Sequence, residues 1–155
     1  MPADQSRHYA APGWFTRNVF NRAVAGLTRL GVSVLGSRIL EVKGRTSGLA
    51  RRTPVNLLVL DGREYLVAPR GETQWVRNVR ADQGRMALIL GRRREERVAH
   101  ELGQAEAIPV LRAYLKRWKA EVGVFFDGVT ADSSEAELQQ AATKHPVFAL
   151  DQPGA

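Results

Sequence analysis

Cysteine is absent from the 155 residues. That excludes a disulfide framework, a thiolate zinc site and a cysteine nucleophile. Histidine is scarce: His8, His100 and His145 stand far apart in sequence, none at ligand spacing from another, so no metal site is expected. No apolar run approaches the ~20 residues that span a bilayer. The first residues lack a basic segment leading into an apolar run with a small-residue cleavage site, so a cytoplasmic location is expected. There is no Ser/His/Asp signature, no motif of paired carboxylates and no Walker-type phosphate loop. A catalytic side chain is therefore left unassigned.

What remains is ordinary in bulk and unusual in charge. Hydrophobic residues at 44% and charged residues at 25% suit one globular domain spanning 1–155. The net charge of +7 is carried mainly by arginine, clustered at Arg51-Arg52 and Arg92-Arg93-Arg94, with lysines at Lys116 and Lys119. A basic surface suits nucleic acid, an anionic membrane or a polyanionic small ligand. The aromatics do not interleave with the basic residues as a base-stacking platform would, so nucleic acid is not expected. A non-enzymatic basic binding module stays as a competing reading.

Residues 1–13 read as a mobile polar tail. In 14–36, Phe20, Val24, Leu27, Leu30 and Val34 fall at helical spacing, with Arg17, Arg22 and Arg29 off the stripe. This amphipathic helix is expected to pack against the core or a second subunit. A peripheral contact with an anionic membrane, through Trp14 and Phe15, ranks below packing.

The core is expected over 37–151. Strands are read at 39–42, 52–60 and 63–68, with Asp61-Gly62 as a two-residue hairpin turn. Thr73 caps a short helix running to Ala81. Asp82-Gln83-Gly84 turns into a strand at 86–90, and a fifth strand spans 95–107. Pro109 then suits the first position of a helix reaching about Val122. A further helix opens at 132–135 and fades at Thr143, before a last strand at 147–150. The class is α+β, with a small antiparallel barrel suggested by the many short strands.

Two stretches carry the chemistry. Lys43-Gly44-Arg45-Thr46-Ser47-Gly48 through Arg51-Arg52-Thr53-Pro54 lies between two apolar runs. Its glycines allow a tight turn, its arginines are planar forks for phosphate or carboxylate, and successive N–H groups could form an anion-binding concavity. The second stretch, 67–80, places Arg70-Gly71 after an apolar run and then Trp75 in the first turn of a helix.

Together, Gly44-Arg45-Thr46-Ser47-Gly48, Arg51 and Pro54, then Arg70-Gly71, Trp75 and Asn78, resemble the deazaflavin-dependent nitroreductase family, one of the flavin/deazaflavin oxidoreductases. The resemblance covers about residues 40–106. It implies a split β-barrel of the flavin-binding type with flanking helices, often a homodimer. It also implies coenzyme F420, whose reduced form passes hydride to a small-molecule acceptor such as a quinone, nitroaromatic or enone. FMN is the alternative cofactor.

Through the motif, Arg45, Thr46, Ser47 and Arg51 are expected at the coenzyme's phosphate end. Thr53, Pro54, Val55 and Asn56 would run along it, Val67, Ala68 and Pro69 would line the pocket, and Arg70 would reach the acidic tail. Gln74, Trp75, Val76, Arg77 and Asn78 would border the ring, with the indole stacked on a flat heterocycle. Many relatives carry Lys at the position of Thr46; Arg52 is expected to compensate. Tyr65 and Tyr114 are the phenols available as proton donors, and neither is assigned that role.

Overall fold

The computed structural model describes residues 36–154. The tail and amphipathic helix read at 1–36, and the membrane contact through Trp14 and Phe15, fall almost wholly outside the described residues. Seven strands form one sheet: β1 (Ser37–Lys43), β2 (Ala50–Asn56), β3 (Leu58–Leu60), β4 (Arg63–Val67), β5 (Arg85–Leu90), β6 (Arg93–Glu101) and β7 (Val147–Asp151). Their order is β2-β1-β5-β6-β7-β4-β3, with every neighbouring pair antiparallel. Three helices accompany them among the described residues: α1 (Gln74–Ala81), α2 (Gln104–Val122) and α3 (Glu135–Ala142).

The two edge strands, β2 and β3, are consecutive in the chain and separated only by Leu57. The chain itself thus carries one edge of the sheet to the other, and the sheet curls into a half-barrel. The single strand expected at 52–60 is broken for this reason. At the bend the Leu57 N–H still donates to the Gly36 carbonyl at 2.9 Å, the last rung shared with β1, before Leu58 pairs with β4. The hairpin between β3 and β4 is as expected: Asp61 (φ 52°) and Gly62 (φ 77°) both take the left-handed conformation that a two-residue turn of this kind needs.

One boundary is corrected. The strand expected at 95–107 stops at Glu101, and Gly103 caps a helix beginning at Gln104. The Gly103 N–H donates to Glu106 Oε1 at 3.2 Å, and Ala105, Glu106 and Ala107 are good helix formers. Pro109 accordingly sits inside α2 rather than at its first position.

Two apolar clusters share the sheet. One fills the half-barrel with Leu40, Val42, Leu66, Met86, Leu88, Phe148 and Leu150, and is closed by Val76 and Val79 of α1. The other lies under α2 and α3, where Leu111, Tyr114, Leu115, Trp118, Phe126 and Leu138 are sealed. Strand β7 serves both, with Val147 in the second cluster and Phe148 in the first. Each such large apolar side chain contributes roughly 1.5–3 kcal/mol through burial. Anchoring α1 by Val76 and Val79 also fixes Asn78 between them in sequence, and Asn78 is buried as well.

Candidate functional site

The first motif forms the loop 44–49 between β1 and β2, closed by the pairing of Lys43 with Ala50. Gly44 N–H donates to the Leu49 carbonyl at 2.8 Å and Gly48 N–H to the Gly44 carbonyl at 2.9 Å. Leu49 N–H donates to Ser47 Oγ at 3.1 Å. A Cβ at Gly44 would lie 2.9 Å from Ser47 Oγ and 3.3 Å from Arg51 Nε, so any larger residue would make these side chains shift from the turn. The amides of Gly44, Arg45, Gly48 and Leu49 donate within the chain, which leaves the successive amides of Thr46 and Ser47, with the side chains, at the tip of the loop.

Helix α1 meets this loop at Arg45. The Arg45 N–H donates to Asn78 Oδ1 at 3.1 Å. Its Nη1 donates to the same oxygen at 2.8 Å and to Gln74 Oε1 at 2.9 Å. Gln74 and Asn78 are four residues apart, hence on one helix face. The two stretches singled out in the sequence are therefore joined at one guanidinium. Beside them, Arg51 Nη2 donates to Ser47 Oγ at 3.4 Å. A cleft of about 350 Å³ opens here, lined by residues 43–48 with Asn78, Ala81 and Asp82. Lys43 and Asp82 were not among the expected site residues. Lys43 Nζ lies 3.8 Å from Asp82 Oδ1, and Arg85 Nη2 lies 3.0 Å from the same oxygen. Lys43 could have been found, since it directly precedes the motif glycine; Asp82 reaches the cleft only through the fold.

Strand alternation sorts the rest of the first motif. Arg51, Thr53 and Val55 share the face of Val42 and Leu40, which is the barrel side. Arg52, Pro54 and Asn56 point the other way. Arg52 Nε donates to Glu41 Oε2 at 2.9 Å, away from the cleft that Lys43, Arg45 and Thr46 line, so Arg52 does not take the place expected for it beside Thr46. Asn56 Nδ2 donates to Glu121 Oε1 at 3.4 Å and its side chain also bonds the Tyr114 phenol. In the second stretch, Val67, Ala68 and Val76 are core residues, and Pro69 and Arg77 are half-buried. The Arg70 guanidinium carbon stands 5.9 Å from the Phe125 ring centroid, beside the helical cluster rather than in the cleft. Trp75 and Val55 are partly buried against the barrel cluster, and the Trp75 ring lies 5.7 Å from that of Phe148, tilted by 53°.

The phenol of Tyr114 and the two described histidines lie away from the cleft. Burial pushes the Tyr114 phenol well above its usual range, with Glu121 adding to the shift and the Asn56 bond opposing it. His100 Nε2 lies 3.0 Å from Asp151 Oδ2 on the surface, and His145 is sealed against Phe126 with ring centroids 4.0 Å apart. Among the described residues no group of His, Cys, Asp and Glu could hold a metal ion.

The family model for F420H(2)-dependent quinone reductases matches residues 16–131. The chain belongs to that family. It is accordingly an F420H2-dependent oxidoreductase, and coenzyme F420 is its cofactor. No curated protein matches it. Among solved structures, it resembles one described as a domain-swapped dimer, at 22% identity and a TM-score of 0.53, over 91% of this chain and 100% of the other. It resembles an F420-H2 dependent reductase, FDR-A, at 20% identity and a TM-score of 0.51, over 75% and 94%. A conserved hypothetical protein of Mycobacterium tuberculosis, Rv2991, matches at 21% identity and a TM-score of 0.52, over 76% and 72%. These neighbours share the α+β half-barrel. No helix among the described residues is long and apolar enough to cross a membrane.

The donor set at the loop fits the anionic part of F420. Arg45 and Arg51 are forks held by neutral groups, Ser47 and Thr46 bring hydroxyls, and Gly44 leaves room where a Cβ would press on Ser47 and Arg51.

Proposed function

We propose that this F420H2-dependent reductase binds its coenzyme across the loop 44–49 and the start of α1, and passes hydride to a quinone-type acceptor. The observation that carries the reading is the Arg45 guanidinium, bonded to Gln74 and Asn78 at the meeting point of both motifs. Arg45, Arg51, Thr46 and Ser47 hold the phosphate end, with Lys43 at its rim paired to Asp82. Thr53 and Val55, on the barrel face of β2, flank it. Trp75 and Val55 offer the apolar margin against which a flat ring can lie. Arg70, beside Phe125, serves the acidic tail or the acceptor's side of the site. Arg52, Asn56 and Val76 take structural roles.

When bound, F420H2 supplies the hydride. The chain's part is to bind, to orient and to exclude water. Tyr114 is sealed and held protonated, so it is no proton donor to the site. The quinone is the proposed acceptor because the family is described by it. Residues 1–155 act as one domain, and a homodimer is the proposed assembly, to be measured by light scattering. Fluorescence titration with F420 beside FMN, followed by oxidation of F420H2 with a quinone and with a nitroaromatic, tests the reading. F420 binding at micromolar concentration with quinone turnover is expected; binding of FMN alone would overturn it.

A further inference from the structure

Six of the fifteen arginines among the described residues are held by acids. Arg52, Arg63, Arg80, Arg85, Arg94 and Arg97 each bond a carboxylate. Arg112 bonds the carbonyls of Ala131 and Ser133 and ties α2 to the segment before α3. At the cleft, Arg45 is as firmly held, by two bonds from Nη1 and one from its own N–H, yet every acceptor is a side-chain amide oxygen. A carboxylate in the same place would fix the guanidinium equally well and cancel its charge. An amide oxygen fixes it and leaves the charge to be answered from the cleft.

We propose that Gln74 and Asn78 are positioning residues that hold Arg45 without neutralising it, so that its charge acts on the bound anion. This deepens the proposed function and rests on Arg45 facing the coenzyme's anionic end. Asn78 also shapes the loop, because the same oxygen takes the Arg45 N–H and so fixes the main chain from a buried position. Gln74 is exposed and acts on the guanidinium alone. The two amides therefore divide the work between loop shape and fork direction.

Gln74→Glu is the informative variant, because it keeps shape at an exposed position and should fold. It is expected to weaken F420 binding about tenfold in low salt. The gap from the unmodified protein should shrink toward 1 M salt, where screening acts within ~3 Å. Gln74→Ala should weaken binding less and with no such salt dependence. Asn78→Asp should act as Gln74→Glu does, with thermal melting to verify the fold. In an Arg45→Ala background the effect of Gln74→Glu should largely vanish, because it acts through Arg45. A gap that persists undiminished in that background means direct repulsion of the ligand, and overturns the proposal. So does a Gln74→Glu protein that binds F420 as tightly as the unmodified one. If Arg45→Ala itself binds F420 normally, the anion seat of the proposed function fails, and this inference with it.

Discussion

Arg51 and Arg52 are neighbours in β2 with opposite fates. Arg51 faces the barrel side and touches the hydroxyl of Ser47; Arg52 faces the other side and sits on the carboxylate of Glu41. The same division holds at larger scale. Around the loop 44–49, arginines are held by hydroxyl and amide groups, which do not neutralise their charge. On the outer face of the sheet, Glu41 joins Arg52 and Arg94, which also reaches Glu96. On the barrel face but at β6, opposite Met86, buried Arg97 meets Glu64 and Glu95. On the proposed function one region binds and the other holds the strands together, from the same residue type. The net charge in the sequence could not tell them apart.

The sharpest way to break that division is to remove Arg45. Arg45→Ala is expected to weaken F420 binding on the order of 100-fold, from the loss of charge-assisted bonds. Its melting temperature should stay nearly unchanged, because the side chain is exposed and pairs with no carboxylate among the described residues. Titration by F420 fluorescence and a thermal melt on the same sample read both halves. Arg97→Ala should do the reverse. It strips Glu64 of a 2.8 Å partner at a site where Arg97 is 8% exposed. The cost is about 2 kcal/mol, discounted for the exposure of Glu64. That corresponds to a fall of roughly 6 °C in melting temperature, with F420 affinity intact. If Arg97→Ala lost affinity instead, the two regions would not be separate.

Next comes the adjacent pair itself. Arg51→Ala should lower F420 affinity about tenfold and leave stability alone. Arg52→Ala should leave affinity alone and cost ~0.5 kcal/mol or less, since its pair with Glu41 is exposed on the arginine side. Equal effects on affinity from both variants would mean that strand alternation does not sort this motif.

How much of this is legible in the sequence differs from one residue to the next. The Asp61-Gly62 turn is legible because two residues able to adopt positive φ between two apolar runs leave few alternatives. The loop 44–49 and the helix opening at Gln74 are legible as places, through the resemblance and the glycines. Their junction is not. That Arg45 bonds Gln74 and Asn78 depends on how Val76 and Val79 seat α1 on the half-barrel, which is a property of the packed core. The end of β6 misleads because residues 95–107 alternate acceptably as a strand and Pro109 attracts the helix start. The Glu106 bond to Gly103 settles it in the other direction. The face that Arg52 takes follows from the register with β1, where it stands opposite Glu41, and that pairing is not written in β2 alone. Arg70 is assigned by motif, and the Phe125 ring that it meets is supplied by the distant short 3-10 turn at Gly123–Phe125.

The smallest effect tests the outer face through pH. Burial alone would raise the carboxyl of Glu41, but the bonds from Arg94 and Arg52 outweigh it and leave the group below the ordinary carboxylate range. A carboxyl lowered on folding contributes stability that is fully present above its unfolded value. That contribution is lost as the pH falls through the folded value, when Glu41 takes up its proton and the two guanidiniums lose their acceptor. Melting temperature should therefore decline through the acid range partly on account of this one residue. In Glu41→Gln the decline should be shallower, while at neutral pH the variant melts slightly below the unmodified protein. F420 affinity at neutral pH should not move, since Glu41 stands on the face opposite the loop's binding side chains. A Glu41→Gln protein whose acid decline is unchanged would show that this ionic cluster does not hold the outer strands; a loss of affinity would show that the outer face and the cleft are coupled through β2.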